Sequence, residues 1–283
     1  MRRRLVNTLK NAAQQTFRRF GYQITKLPSA DPVAGTSYDE VRPLANYAPW
    51  NIDPIFQSTY EAIKNYTLVD IYRCWELWTL VKQSAKLEGS IVEVGVWRGG
   101  TGALMARQAV LCGIKEPVFL CDTFSGVVKA GQNDPHYHGA EHADTSQALV
   151  ETLVKDQLQL GNVRIVAGIF PDETGPEIEK QQSRFRLCHI DVDVYESAKD
   201  IMEWIWGRLA PGGFVVFDDY GFDVCAGITQ LVNEMLTEPD RIVIHNLNGH
   251  AIVIKTGPCG YGSNRLQSSA VSARDNQDSA VSK

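Results

Sequence analysis

The sequence predicts an α/β fold, a doubly wound, mostly parallel seven-stranded sheet closed by a terminal antiparallel hairpin. Three stretches carry that expectation. Phe185 to Tyr220 reads as two buried strands joined by one helix, each strand ending in carboxylates, Asp191 and Asp193 on the first and Asp218 and Asp219 on the second. Ser90 to Arg107 reads as a strand, a glycine-rich turn and the start of a helix. Arg241 to Lys255 reads as two strands about an Asn248-Gly249 turn, a strong hairpin signal.

Length and composition set the bounds. A chain of 283 residues suits one large α/β domain with appendages. A hydrophobic share of 44% and a charged share of 22% are those of an ordinary globular protein. The net charge of −5 argues against a dedicated nucleic-acid binder. No apolar run approaches the roughly 20 residues that span a bilayer, and no apolar core with a cleavage site follows the basic start. The six cysteines are scattered without a CxxC pair, which reads as reduced core residues of a cytoplasmic protein.

In chain order, residues 1–28 contain seven Lys or Arg and no acid, with Leu5, Leu9, Phe17 and Phe20 on one helical face. They read as a basic helix that rests either on anionic lipid, at the inner face of the membrane, or on its own domain or a sister subunit. Residues 28–60, rich in Pro and aromatic residues, read as an irregular connection, and 58–87 as a helix. The run 91–94 reads as the first strand, 95–100 as the turn and Thr101 onward as a helix. A second strand, 118–121, ends in Asp122. Residues 125–146 hold no regular element but carry His136, His138 and His142, and long loops of this kind are often lids or binding loops. A helix over 145–160 and a strand over 163–167 follow. Then come the acid-tipped strands, with a helix over 197–209 between them and a tight turn at Pro211-Gly212-Gly213. A helix over 226–236 precedes the hairpin. The organisation expected is an N-terminal segment 1–57, a core domain 58–256 and a disordered tail 257–283.

Chemistry enters at the strand ends. Ligands of open α/β sheets bind at the C-terminal ends of the strands. Four acids converging there repel one another by roughly several kcal/mol at low dielectric, and a divalent cation on oxygen ligands is the simplest relief. The glycine turn is neither a P-loop nor the dinucleotide GxGxxG. Glu93 beside it would repel a pyrophosphate but suits a cationic ligand, which points to S-adenosylmethionine. Asp122 reads either as an acid for ribose hydroxyls or as a capping acid of a βα turn. One of the three histidines reads as a general base in preference to a zinc ligand. A terminal hairpin on a parallel sheet distinguishes the Rossmann-like, class I methyltransferase version of the fold from the dehydrogenase version.

The blocks VEVGVWRGGTG, CDTFSG, GIFPDE, HIDVDVYES and LAPGGFVVFDDYG resemble the macrocin O-methyltransferase family (TylF/MycF-like) over roughly residues 60–255. Its members are bacterial, metal-dependent enzymes that methylate sugar hydroxyls on macrolides, aminocoumarins and related glycosides. The resemblance implies Mg²⁺ on Asp191, Asp218 and Asp219. It implies S-adenosylmethionine against Glu93, Gly95, Trp97, Gly99 and Thr101, with Asp122, Thr123 and Phe124 at the ribose and Gly168 and Phe170 at the adenine. His138 is the chosen base, with His136, His142 and Asp193 open as alternatives, and Asp191 acts with it in catalysis as the metal ligand. Val192 stands where family members often carry a glycine. The acceptor implied is a hydroxyl of a glycoside or surface-polysaccharide precursor, and the enzyme is expected to be a homo-oligomer. A catechol-type methyltransferase on a phenolic acceptor and a non-catalytic, membrane-associated scaffold are the alternatives.

Overall fold

The computed structural model describes residues 44–257 continuously, together with 16–17, 19–20, 37–39 and 41. The basic helix expected over 1–28 and the tail expected over 257–283 lie, apart from a few positions, outside them. The chain divides after Asn46. Of the first unit, the described residues show a helical turn in which the Phe20 N–H donates to the Phe17 carbonyl at 3.0 Å. The second unit holds the fold that follows.

Its strands are β1 (Ser90–Val94), β2 (Val118–Asp122), β3 (Val163–Ala167), β4 (Phe185–Ile190), β5 (Leu209–Phe217), β6 (Arg241–Asn246) and β7 (His250–Lys255). They form one sheet in the order β3-β2-β1-β4-β5-β7-β6. Pairing is parallel from β3 to β5, and β7 runs antiparallel to both β5 and β6, as the hairpin signal requires. The helices are α1 (Pro54–Ile63), α2 (Ile71–Ser84), α3 (Gly100–Leu111), α4 (Gln147–Glu151), α5 (Gly175–Gln181), α6 (Tyr195–Trp206) and α7 (Ala226–Glu234).

Alternate residues of each strand go to opposite faces. Ile91, Leu187, Phe214 and Ile252 pack with α1, α2 and α3, whereas Val92, Cys188, Val215 and Val253 pack with α6 and α7. Strands buried on both faces explain why the sequence shows near-continuous apolar runs there. Each fully buried Leu, Ile or Phe, such as Leu77, Ile91 and Phe185, contributes roughly 1.5–3 kcal/mol.

Several boundaries differ from the sequence expectation, each for a local reason. The single helix expected over 58–87 is two. Asp53 caps α1 by accepting from Ile55 N and Phe56 N at 3.0 and 2.9 Å, with Pro54 at its first position. Asp70 then caps α2 by accepting from Tyr72 N and Arg73 N at 2.8 and 3.1 Å. Periodicity runs through the break because Ile63 and Val69 both enter the same core. The helix expected over 145–160 begins as α4 and passes at Thr152–Gln157 into a π-helical turn. Pro211-Gly212-Gly213 lies within β5 as a bulge, where the register jumps from Phe185↔Leu209 to Leu187↔Phe214. Residues 125–146 contain no helix or strand, as expected. The five described cysteines are free. Among the described residues no helix is long and apolar enough to cross a membrane.

Candidate active site

The chain turns back between β1 and β4: β2 and β3 lie on one side of β1, β5 and the hairpin on the far side of β4. A cleft of about 290 Å³ opens at this switch point, outside the carboxyl ends of the strands. Two halves meet in it. The first is the turn after β1. Gly95 has φ 87°, and a Cβ there would lie 1.6 Å from the Asp191 carbonyl oxygen, so only glycine lets the two strand ends approach. Asp122 braces the turn: its Oδ2 accepts from Val96 N and Trp97 N at 2.7 and 2.8 Å, and its Oδ1 from Phe124 N at 2.6 Å.

The second half is acidic. Asp191, Asp218 and Asp219 each offer an oxygen, all within 4.8 Å of one another. Burial, then neighbouring acids, pushes Asp191 and Asp219 well above the usual carboxylate range. Burial also raises Asp193, against a hydrogen bond from the Tyr137 hydroxyl at 2.7 Å. Asp218 goes the other way. Burial works against its ionised form, but hydrogen bonds from His189 and His250 and the charge of Arg73 hold its carboxyl far below the usual range.

Those partners belong to a buried ionic chain beneath the cleft. Asp218 Oδ1 faces His250 Nε2 at 2.9 Å and His189 Nε2 at 3.4 Å. The outer nitrogens face Glu76 Oε2 at 2.6 Å and Glu93 Oε1 at 2.9 Å. Arg73 donates to Asp218 Oδ2, to its carbonyl at 3.1 Å and to Asp70 at 2.8 Å. Although burial lowers it, His189 is pushed up to about 9 by its hydrogen bonds to Asp218 and Glu93 and by their charges.

The 125–146 loop forms a wall of the cleft. Lys129 pairs with Asp172 and Asp200 at 2.7 and 2.6 Å, and Asp134 Oδ1 accepts from Tyr195 N at 3.0 Å. At the loop's far end, Asp144 accepts from Trp97 Nε1 at 2.8 Å and from Arg98 at 2.6 Å.

Of the residues singled out from the sequence, Gly95, Trp97, Thr101, Asp122, Thr123, Gly168, Phe170, Asp191, Asp193, Asp218 and Asp219 line the cleft. Gly99 caps α3 with φ 91°, and Phe124, φ 51°, bonds Asp122; neither lines the cleft. Glu93 is fully buried and outside the cleft lining, because strand alternation turns it toward His189 and Gly102 of α3. It belongs to the ionic chain. His138 is exposed and off the lining, its backbone N–H held by Glu141 at 2.7 Å. His142 does line the cleft, with Nε2 3.9 Å from Asp193 Oδ2. Sequence reading missed Arg73, Glu76, Tyr137, His189 and His250. Strand parity was the available signal for two of these, since His189 shares a face with Leu187, and His250 with Ile252.

The donor set fits the implied groups. An oxygen-only cluster in which burial and neighbouring acids push Asp191 and Asp219 well above the usual carboxylate range suits Mg²⁺. A glycine cradle that a Cβ would fill, opening on the N-terminus of α3 and on Asp122, suits S-adenosylmethionine.

The profile of the macrocin-O-methyltransferase (TylF) family matches residues 61–240. The chain is 33% identical over 148 residues to the 8-demethyl-8-(2,3-dimethoxy-alpha-L-rhamnosyl)-tetracenomycin-C 4'-O-methyltransferase of Streptomyces olivaceus, covering 48% of this chain and 55% of that protein. It is 28% identical over 179 residues to the mycinamicin III 3''-O-methyltransferase of Micromonospora griseorubida, covering 56% and 67%. The chain thus spans about half to two thirds of the length of these two relatives. Among solved structures, the O-methyltransferase NovP superposes with a TM-score of 0.58 at 23% identity, covering 68% of this chain and 83% of that one. The calicheamicin methyltransferase CalS11 superposes with 0.57 at 17% identity, covering 79% and 100%. These likenesses show the fold.

Proposed function

The chain belongs to the macrocin-O-methyltransferase (TylF) family, and from that premise we propose that it methylates a sugar hydroxyl of a small glycoside, using S-adenosylmethionine and Mg²⁺. The observation that carries the reading is the meeting of the glycine turn and the acid cluster in one cleft. In this reading Asp191, Asp218 and Asp219 hold the ion. When bound, Mg²⁺ supplies Lewis acidity that lowers the pKa of an acceptor hydroxyl, and S-adenosylmethionine supplies an electrophilic methyl group on a sulfonium.

The chain's own residues orient the reactants and take the proton. Gly95 to Trp97, braced by Asp122, present backbone to the cofactor, and Gly168 and Phe170 wall its far side. Asp193 is the base. It lines the cleft and is oriented by the Tyr137 hydroxyl. His142, 3.9 Å away, is the group next placed to pass the proton outward. Asp193 would take the proton of the acceptor hydroxyl, freeing its oxygen for the methyl group that S-adenosylmethionine, held against Gly95 to Trp97, would supply.

A sugar acceptor is preferred to a phenolic one because the two relatives above are named for rhamnosyl 4' and mycinamicin 3'' positions. The non-catalytic scaffold reading leaves the clustered acids of the cleft without a purpose. Calorimetric titration with S-adenosylmethionine, followed by methyl transfer to matched panels of neutral glycosides and catechols, tests the proposal. Methylation of catechols alone would replace the acceptor class. No binding of S-adenosylmethionine would overturn the enzyme reading.

A further inference from the structure

The cleft's three clustered acids are held unequally. Asp191 has no hydrogen-bond donor on its carboxylate among the described residues, and Asp219 takes one backbone N–H, from Asp193 at 3.2 Å. Asp218 takes two imidazoles on one oxygen and a guanidinium on the other. Five elements supply this arrangement, with Arg73 and Glu76 from α2, Glu93 from β1, His189 from β4, Asp218 beyond β5 and His250 from β7. Side chains of His189, His250 and Glu93 are 0% exposed, and that of Asp218 is 4% exposed. Buried ion pairs are weak stabilisers, and well-packed apolar residues of similar volume often serve a core as well or better. Such a chain directly beneath the cleft therefore needs a purpose other than stability.

We propose that Glu76 and Glu93 are positioning residues for the cation site, acting through His250 and His189 to hold the Asp218 carboxylate in one orientation. Each imidazole has a carboxylate at both nitrogens, so anchoring the outer nitrogen stops the ring from turning. Both Nε2 atoms then converge on Asp218 Oδ1, which leaves Oδ2, shared with Arg73, as the oxygen for an ion. Glu76 is itself held by the hairpin turn, with Asn246 Nδ2 donating to Oε1 and Asn248 Nδ2 to Oε2, the latter at 3.2 Å. Histidines that bind metals directly are usually oriented by an outer carboxylate, and removing that carboxylate weakens the metal. Here the same device acts one step further out, on a carboxylate ligand.

The inference rests on the Mg²⁺ reading, and the test separates the two. Mn²⁺, a paramagnetic oxygen-site probe, is titrated into the full chain and read by electron paramagnetic resonance, with S-adenosylmethionine affinity measured alongside by calorimetry. Glu76→Gln keeps size and shape but replaces one acceptor oxygen with an NH2, so it cannot accept from Asn246 as well as from His250 and Asn248. It is expected to weaken Mn²⁺ by about 10- to 100-fold while leaving S-adenosylmethionine affinity unchanged. A folded Glu76→Gln that binds Mn²⁺ as the parent does overturns the positioning role. Should that variant fail to fold, Glu93→Met, which leaves the outer nitrogen of His189 without its acceptor, reads the opposite end of the chain with the same two outcomes. If the parent binds no Mn²⁺ and Asp191→Asn changes nothing, the cation site itself is refuted and the positioning role falls with it.

Discussion

Asp193 adopts φ 65°, in the left-handed region that few side chains other than Asn and Asp enter readily. That backbone turns its carboxylate back to the cleft, where Tyr137 donates to Oδ1 at 2.7 Å and the Asp193 N–H donates to Asp219 Oδ2 at 3.2 Å. Asp193→Asn keeps the shape and removes the base, so turnover is expected to fall by about 10²- to 10⁴-fold with S-adenosylmethionine affinity unchanged. Single-turnover kinetics beside calorimetry checks this. The histidines divide in the same experiment. His142→Ala is expected to slow turnover, whereas His138→Ala is expected to cost nothing measurable, because only the former reaches the cleft. Loss of turnover in His138→Ala alone would return the base to the position first read from the sequence. The three acids proposed to hold the ion also differ in kind: burial and neighbouring acids raise Asp191 and Asp219 well above the usual carboxylate range, whereas His189, His250 and Arg73 hold Asp218 far below it.

At the scale of elements, the glycine turn is the part most sensitive to a single atom. Gly95→Ala would place a Cβ against the Asp191 carbonyl and also require φ 87° of an alanine. The backbone strain alone costs about 1–3 kcal/mol, and prying β1 from β4 at the switch point adds to it. Reduced stability in urea together with lost S-adenosylmethionine binding is the expected outcome; a variant that binds normally would show that the turn does not cradle the cofactor. The strands, their parallel order and the hairpin were legible because buried strands ending in acids, the glycine turn and Asn248-Gly249 are strong local signals. The acids Asp191, Asp193, Asp218 and Asp219 were legible for the same reason, since each terminates a strand. The burial of Glu93 off the cleft lining was not legible from its place near a strand end; its parity, which turns it inward, was the signal for it. Arg73, Glu76 and Tyr137 reach the site only through tertiary packing of α2 and of the 125–146 loop. The break at Asp70 was masked by apolar periodicity that continues across it.

At the scale of the molecule, the sheet lets its two halves do separate work. The side with β1, β2 and β3 forms the turn and Asp122 and supplies Glu93, and the side with β4, β5 and β7 forms the acid rim and supplies His189 and His250 to the buried chain beneath it. Each ligand that binds only the folded state stabilises it, so Mg²⁺ and S-adenosylmethionine should each raise the melting temperature. Asp219→Asn should abolish the Mg²⁺ increment and retain the other, as differential scanning fluorimetry would record. In the proposed reaction both halves act together, which a methyl-transfer assay reads. Purified protein is incubated with S-adenosylmethionine and a panel of neutral glycosides, with Mg²⁺, with EDTA, and with EDTA followed by excess Mg²⁺, and products are read by mass spectrometry. A singly methylated glycoside is expected with Mg²⁺, none with EDTA, and its return when the ion is restored. Equal methylation in EDTA would contradict the role given to Asp191, Asp218 and Asp219, and methylation of no glycoside under any condition would contradict the acceptor.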